Sequence, residues 1–190
     1  MKSLKIKGEF CLSMIIFGTL GLFARSVQFS SSFISMCRGF LGAAFLIFVL
    51  LISKRKIDLC AIKKNIVFLS LSGVALGFNW IFLFESYKYT TIATATLCYY
   101  MAPIFILLFS VVILKEKLNI KKLLCIFFAF IGMLLISGVF SGRKISFLGY
   151  KGVLLGLCSA VFYAVLVLLN KKTTEISLME RTLTQLLVSA

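Results

Sequence analysis

An arginine inside an apolar run is the first residue of this chain that could do chemistry. Arg38 lies in SMCRGFLGAAF, followed by Gly39, Gly42, Ala43 and Ala44. A charged group within a membrane span is expensive and usually functional. Small residues beside it let a second helix approach, so this face is expected to point into a helix bundle. There the guanidinium is placed to attract or bind an anionic group. The competing reading is a long stem that carries its charge out to the interface. A second constellation follows in GVALGFNWIFLFESYKY. Gly73, Gly77, Trp80, Phe84 and Tyr87 recur at i+3 and i+4 and share one helix face. Asn79 lies beside that face, and an amide in lipid needs a partner, so it is expected to face other helices or water. Trp80 is the only tryptophan and sits near mid-span rather than at the interface, where tryptophan concentrates. A cavity wall and a packing aromatic both fit it. Glu85, Tyr87, Lys88 and Tyr89 are expected to form the outer end of that helix, as a solvated charge pair with an aromatic belt.

The third constellation is LCYYMAPIFILLFSVVILKEK, which holds the only proline, Pro103. Proline cannot donate to the carbonyl four residues back, here that of Tyr99. In lipid such a carbonyl must be satisfied by another helix, by water or by a ligand. Thr96, Tyr100, Pro103, Leu107 and Ser110 fall on one face of this span, which could line an aqueous cavity with a gating bend at Pro103. A static kink that improves packing is the alternative. A later span adds Ser159 and Tyr163. The substrate-binding candidates are therefore Arg38, Asn79, Trp80, Tyr99, Tyr100 and Tyr163. Pro103 and Glu116 are structural or gating candidates, Glu116 as the centre of a lysine-rich charge knot at a helix C-terminus. Water access at Cys98, next to Tyr99, is expected of a pathway and not of a packed bundle.

Much chemistry is unsupported. There is no histidine, and the six cysteines form no CxxC pair, so neither a metal nor a redox site is expected. No paired carboxylates, Ser-His-Asp set or phosphate-binding loop occurs, so no enzyme activity and no cofactor is expected. The net charge of +15 does not point to nucleic acid, because the basic residues lie in the breaks between apolar runs.

Those runs are the elements that must position the candidates. The chain of 190 residues is 61% hydrophobic, with a mean hydropathy of +1.09, against about 45–50% apolar in soluble chains. A spanning helix needs about 20 apolar residues. Spans are expected near 10–29, 33–53, 65–87, 91–114, 122–140 and 149–169, and a seventh run, from Ser177 to Ala190, is expected to be a span cut short. With this count, fifteen basic residues fall on one side of the membrane and five on the other. That bias places the N-terminus in the cytoplasm. Its basic start at Met1–Lys7 is read as leading into a retained first span.

GEFCLSMIIFGTLGLFARS, from Gly8, and GVLLGLCSAVFYAVLVLLN, from Gly152, both open on a glycine after a lysine and carry small residues at their centres. SSFISMCRGFLGAAF and ISLMERTLTQLLVSA follow them in turn. The separation is five spans, an odd number, so a second copy would enter from the opposite side, the inverted-topology pattern of secondary transporters. The expected fold class is thus an all-α polytopic helical membrane protein: a five-helix inverted-repeat unit over 8–140, and a truncated second unit over 149–190.

SFISMCRGFLGAAFLI, GFNWIFLFESYKYTTIATATLCYYMAPIFILLFSVVILKEKLN and GVLLGLCSAVFYAVLVLLNKK together resemble the EamA-type branch of the drug/metabolite transporter superfamily. The resemblance runs from about Gly8 to Ala190. It implies ten helices built as two inverted five-helix repeats. It implies a secondary transporter, in the export direction, for small metabolites or drugs across the inner membrane. The implied partners are the lipid bilayer, a small-molecule substrate, and either a second copy of the chain or a missing C-terminal half. The competing readings are a non-transporting structural or assembly protein and an inactive fragment.

Overall fold

The computed structural model describes Gly8 and residues 29–53, 57–113, 120–136, 147–173 and 176–190. These form α1 (Ser31–Ile52), α2 (Leu59–Lys64), α3 (Ile66–Tyr89), α4 (Ile92–Tyr99), α5 (Ala102–Ile113), α6 (Ile120–Ile136), α7 (Phe147–Lys172) and α8 (Leu178–Ser189). The expected first span and the Glu116 loop lie outside the described residues.

Polar caps set where several helices begin. Ser30 accepts from the Phe33 N–H and starts α1. Asp58 accepts from the Cys60 and Ala61 N–H groups and starts α2. Thr91 starts α4, and Ser177 with Glu180 forms a reciprocal capping box at α8. Each supplies an acceptor to backbone donors that have no partner within their own helix. Between the caps the residues are overwhelmingly apolar, and many face outward. Leu41 and Leu51 are 72% exposed and Val112 is 77% exposed. A surface of this kind belongs against lipid, where backbone groups must be satisfied within helices. Among the described residues four stretches are long and apolar enough to cross a membrane: Ser31–Ile52, Ile66–Tyr89, Ile92–Ile113 and Gly149–Lys172.

Helix α7 is the centre of the bundle and packs along α3, α4 and α5, while α8 lies between α1 and α3. Small residues make the close approaches. Gly152 faces Thr90, and Gly156 faces Cys98 and Ala95, so α4 lies flush on α7. Gly39 and Gly42 on α1, with Gly73 and Gly77 on α3, form a groove that receives Leu186, Val188, Ser189 and Ala190. Phe78, Phe82 and Phe162 cluster with centroids 5.4–6.1 Å apart across the α3–α7 contact. Helices meet in membranes through such packing and through interhelical hydrogen bonds. The Gln185 amide donates to Ser72 Oγ at 2.7 Å and to Asn170 Oδ1 at 2.5 Å, which joins α8 to α3 and α7.

The spans fall close to the expected positions, with two differences. The loop after α1 contains the short helix α2, because Asp58 caps it and Lys63 and Lys64 sit in its last turn, where cations complement the helix dipole. The Pro103 span is broken rather than bent. Met101 N–H donates to Cys98 O at 3.1 Å, and Ile104 N–H donates to Met101 O at 2.9 Å. This tightening ends α4 and starts α5 at Ala102. Pro103 then sits in a first helical turn, where its missing N–H is tolerated.

Candidate substrate site

Arg38 lies in the third turn of α1, and its guanidinium sits 4.4 Å from the centroid of the Trp80 ring on α3. The fixed small residues around it explain the pairing. Gly39, one residue on, is seated against α8, which holds the Arg38 turn inside the bundle. A cation over an indole face is worth about 0.5–1 kcal/mol when exposed and about 2 kcal/mol when desolvated. One further turn along α3 from Trp80 lies a small core of Leu83, Phe84 and Tyr87, which Ala95 of α4 completes. Trp80 and Tyr99 pack against this core.

The tyrosines gather beside the cation. Tyr87 is buried, with the Thr96 side chain of α4 beside its hydroxyl. Tyr87 and Tyr99 are both within electrostatic reach of Arg38. Tyr99, the last residue of α4, meets Tyr163 of α7 edge to face at 5.6 Å and Tyr100 at 6.2 Å. Tyr100 is in the break between α4 and α5 and is 66% exposed. The structure therefore brings Arg38, Trp80, Tyr99 and Tyr163 together from four helices and sets Tyr100 at the edge. Pro103 is exposed, while Ser110 is buried and bonds back to Leu107 O at 2.9 Å. The stripe expected from Thr96 to Ser110 is thus interrupted at the helix break.

Asn79 is placed differently. Its Nδ2 donates to Ser159 O at 2.8 Å and to Ser159 Oγ at 3.0 Å. Both amide hydrogens are held by α7, so Asn79 joins helices behind the aromatic group. Cys98, 7% exposed, is pressed against Gly156. Its accessibility reports the α4–α7 contact rather than the Tyr99 side of the helix. Tyr87 departs from the expected aromatic belt, because it is buried in the core that Ala95 completes, while Lys88 is exposed. Glu116 lies outside the described residues.

Two polar clusters close the ends of the bundle. At one, Lys88 Nζ lies 2.8 Å from Glu85 Oε2, which also accepts from Ser31 Oγ. Lys151 Nζ donates to Tyr89 Oη at 3.1 Å. This cluster links α1, α3 and α7. At the other, Glu180 Oε1 accepts from the Asp58 N–H at 2.7 Å. That bond, with the Ser177 contacts, holds the Glu180 carboxyl below its usual range despite burial. Sequence reasoning placed Tyr87 on the Trp80 face but not among the site residues, and it missed the Ser72–Asn170–Gln185 network. The available signal for the network was polar side chains within or at the ends of apolar runs.

A cation seated on an aromatic face, between helices of an all-α polytopic bundle, defines an integral membrane protein with a polar centre. The chain belongs to the EamA-like transporter family, whose sequence model matches residues 9–138, and so to the drug/metabolite transporter superfamily. It is 31% identical over 166 residues to the uncharacterized transporter YxxF of Bacillus subtilis, an alignment covering 87% of this chain and 53% of that protein. It is 34% identical over 96 residues to the uncharacterized transporter YyaM of the same organism, covering 50% of this chain and 31% of that protein. The chain thus spans about half the length of the first of these relatives. No solved structure gives a significant match.

Proposed function

We propose that this chain forms one part of a secondary transporter that moves a small metabolite or drug across the inner membrane, in the export direction. Its first five-helix repeat occupies 8–140, its N-terminus is cytoplasmic, and 149–190 opens an inverted second repeat. Family membership and the names of the two relatives support the transporter role. The observation that carries the site is the Arg38 guanidinium over the Trp80 ring inside the bundle. Arg38, Trp80, Tyr99, Tyr100 and Tyr163 face the substrate. Pro103 shapes the span that presents Tyr99 and Tyr100, and Glu116 anchors the loop after it. Asn79 acts by holding α3 to α7 through Ser159. Transport proceeds by the repeats rocking around the shared site.

The test is flux in proteoliposomes. Purified protein is reconstituted alone and with a second half supplied from a relative, and uptake of labelled metabolites of different charge is measured. The expected result is saturable flux that Arg38→Ala abolishes. Flux unchanged by Arg38→Ala removes Arg38 from the site. Absence of flux from a folded, complete assembly supports the structural or assembly reading instead.

A further inference from the structure

The charge balance around Arg38 narrows the substrate class, and this step rests on the transport reading above. The described acids are Asp58, Glu85 and Glu180, and each is engaged elsewhere. Asp58 caps α2, Glu85 pairs with Lys88 and Ser31, and Glu180 holds the Asp58 and Ser177 N–H groups. Among the described residues Arg38 has an aromatic face and no carboxylate. The guanidinium plane of Arg38 has its carbon over the Trp80 ring, 4.4 Å from the centroid. The N–H donors lie in that plane, in the forked geometry that matches a carboxylate by two parallel hydrogen bonds. The surrounding side chains are rings: Trp80 and Tyr99 pack on the same small core, and Tyr163 lies edge-on to Tyr99. Such a surface suits a flat apolar body through offset and edge-to-face contacts.

One cation in a low-dielectric site neutralises one negative charge. A second charge on the ligand would be desolvated without a partner, which is strongly unfavourable. A cationic ligand would meet Arg38 itself and no free carboxylate among the described residues. We propose that this site selects small organic monoanions carrying an aromatic or flat apolar group, with the Arg38 guanidinium over Trp80 as the specificity determinant. Dianions and cations are rejected.

The chain supplies its own reporter, since Trp80 is its only tryptophan. The full chain is placed in nanodiscs of uncharged phosphatidylcholine and excited at the red edge of the indole band. It is titrated with benzoate, phthalate, benzamide and benzyltrimethylammonium, which hold the ring nearly constant while charge changes. The expected result is a saturable change with benzoate, at least tenfold weaker binding of the other three, and at least tenfold loss of benzoate binding in Arg38→Gln. Phthalate, benzamide or benzyltrimethylammonium binding as tightly as benzoate overturns the proposal, as does benzoate binding unchanged in folded Arg38→Gln. The charge series on the unmutated protein decides the matter even where Arg38→Gln does not fold. Flux of cations in proteoliposomes without a benzoate response overturns the anion class and leaves transport standing. Benzoate binding in an assembly with no flux does the reverse.

Discussion

Replacing Gly73 by alanine tests the groove that seats α8. An ideal Cβ at Gly73 would lie 2.6 Å from Val188 Cβ, 2.8 Å from its Cγ1 and 3.1 Å from Gln185 O. Carbon contacts are optimal at about 3.5–4.0 Å, so α8 must retreat by about 1 Å. Val188 cannot rotate away, because its β-branched Cβ is fixed close to the backbone. Overpacking of this kind destabilises by about 1–3 kcal/mol. The retreat also strains the Gln185 bonds to Ser72 and Asn170, each worth about 0.6 kcal/mol between membrane helices. Against this, alanine in a helix interior gains up to about 1 kcal/mol over glycine. The net is a loss of about 1–3 kcal/mol. Gly132 on α6 provides the contrast, because among the described residues its Cβ would meet nothing within 4 Å. Gly132→Ala keeps the helix-propensity gain and is neutral or stabilising by up to about 1 kcal/mol. Both variants are compared by SDS-induced unfolding in mixed micelles, read by circular dichroism. Gly73→Ala resisting SDS as well as Gly132→Ala refutes the close seating of α8.

Asn79→Ala removes both bonds to Ser159 and is expected to lower stability by about 1–2 kcal/mol. Ser159→Ala keeps the carbonyl acceptor and loses less, and equal losses in the same unfolding assay would contradict this. Because its folded pKa is depressed, the Glu180 carboxylate contributes stability that is fully present above its unfolded value of about 4.3 and fades as pH falls through the lower folded value. Unfolding measured from pH 7 down to pH 3 should show that loss, and Glu180→Gln should flatten it. Cys60 is exposed and Cys98 is buried. In single-cysteine versions a maleimide should therefore label Cys60 readily and Cys98 only after unfolding, and comparable labelling rates would place α4 away from α7.

Helix positions were legible because lipid imposes long uninterrupted apolar runs, and because serine, threonine and aspartate mark where helices begin. Arg38, Asn79 and Trp80 stood out for the same reason: each is conspicuous against an apolar background. Their partners were not legible. Nothing in local spacing says that Asn79 meets Ser159, 80 residues away, or that Arg38 rests on Trp80. Tyr87 admitted two readings, because a tyrosine near a helix end fits an interfacial belt as well as the inward face it shares with Trp80 and Phe84, and only the approach of Ala95 on α4 decides for the inward one. The Pro103 break was read as a bend because proline alone fixes the lost bond. The tightening at Tyr100–Met101, which ends one helix and starts another, depends on the packing of Met101 and Ala102 on Ala160.

The wide sequence separation of these pairs has a consequence for the order in which the chain is made. Ser72 bonds back to Leu69 O at 2.9 Å, so α3 brings that hydroxyl into the bilayer already satisfied. The Asn79 amide is different: among the described residues its acceptors belong to α7. At about 5–20 residues per second of synthesis, Ser159 emerges about 4–16 s after Asn79. Throughout that interval the amide sits in a newly inserted helix whose mate does not yet exist. Biogenesis must therefore shelter α3, by water, by lipid headgroups or by the insertion machinery, until α7 arrives to relieve it.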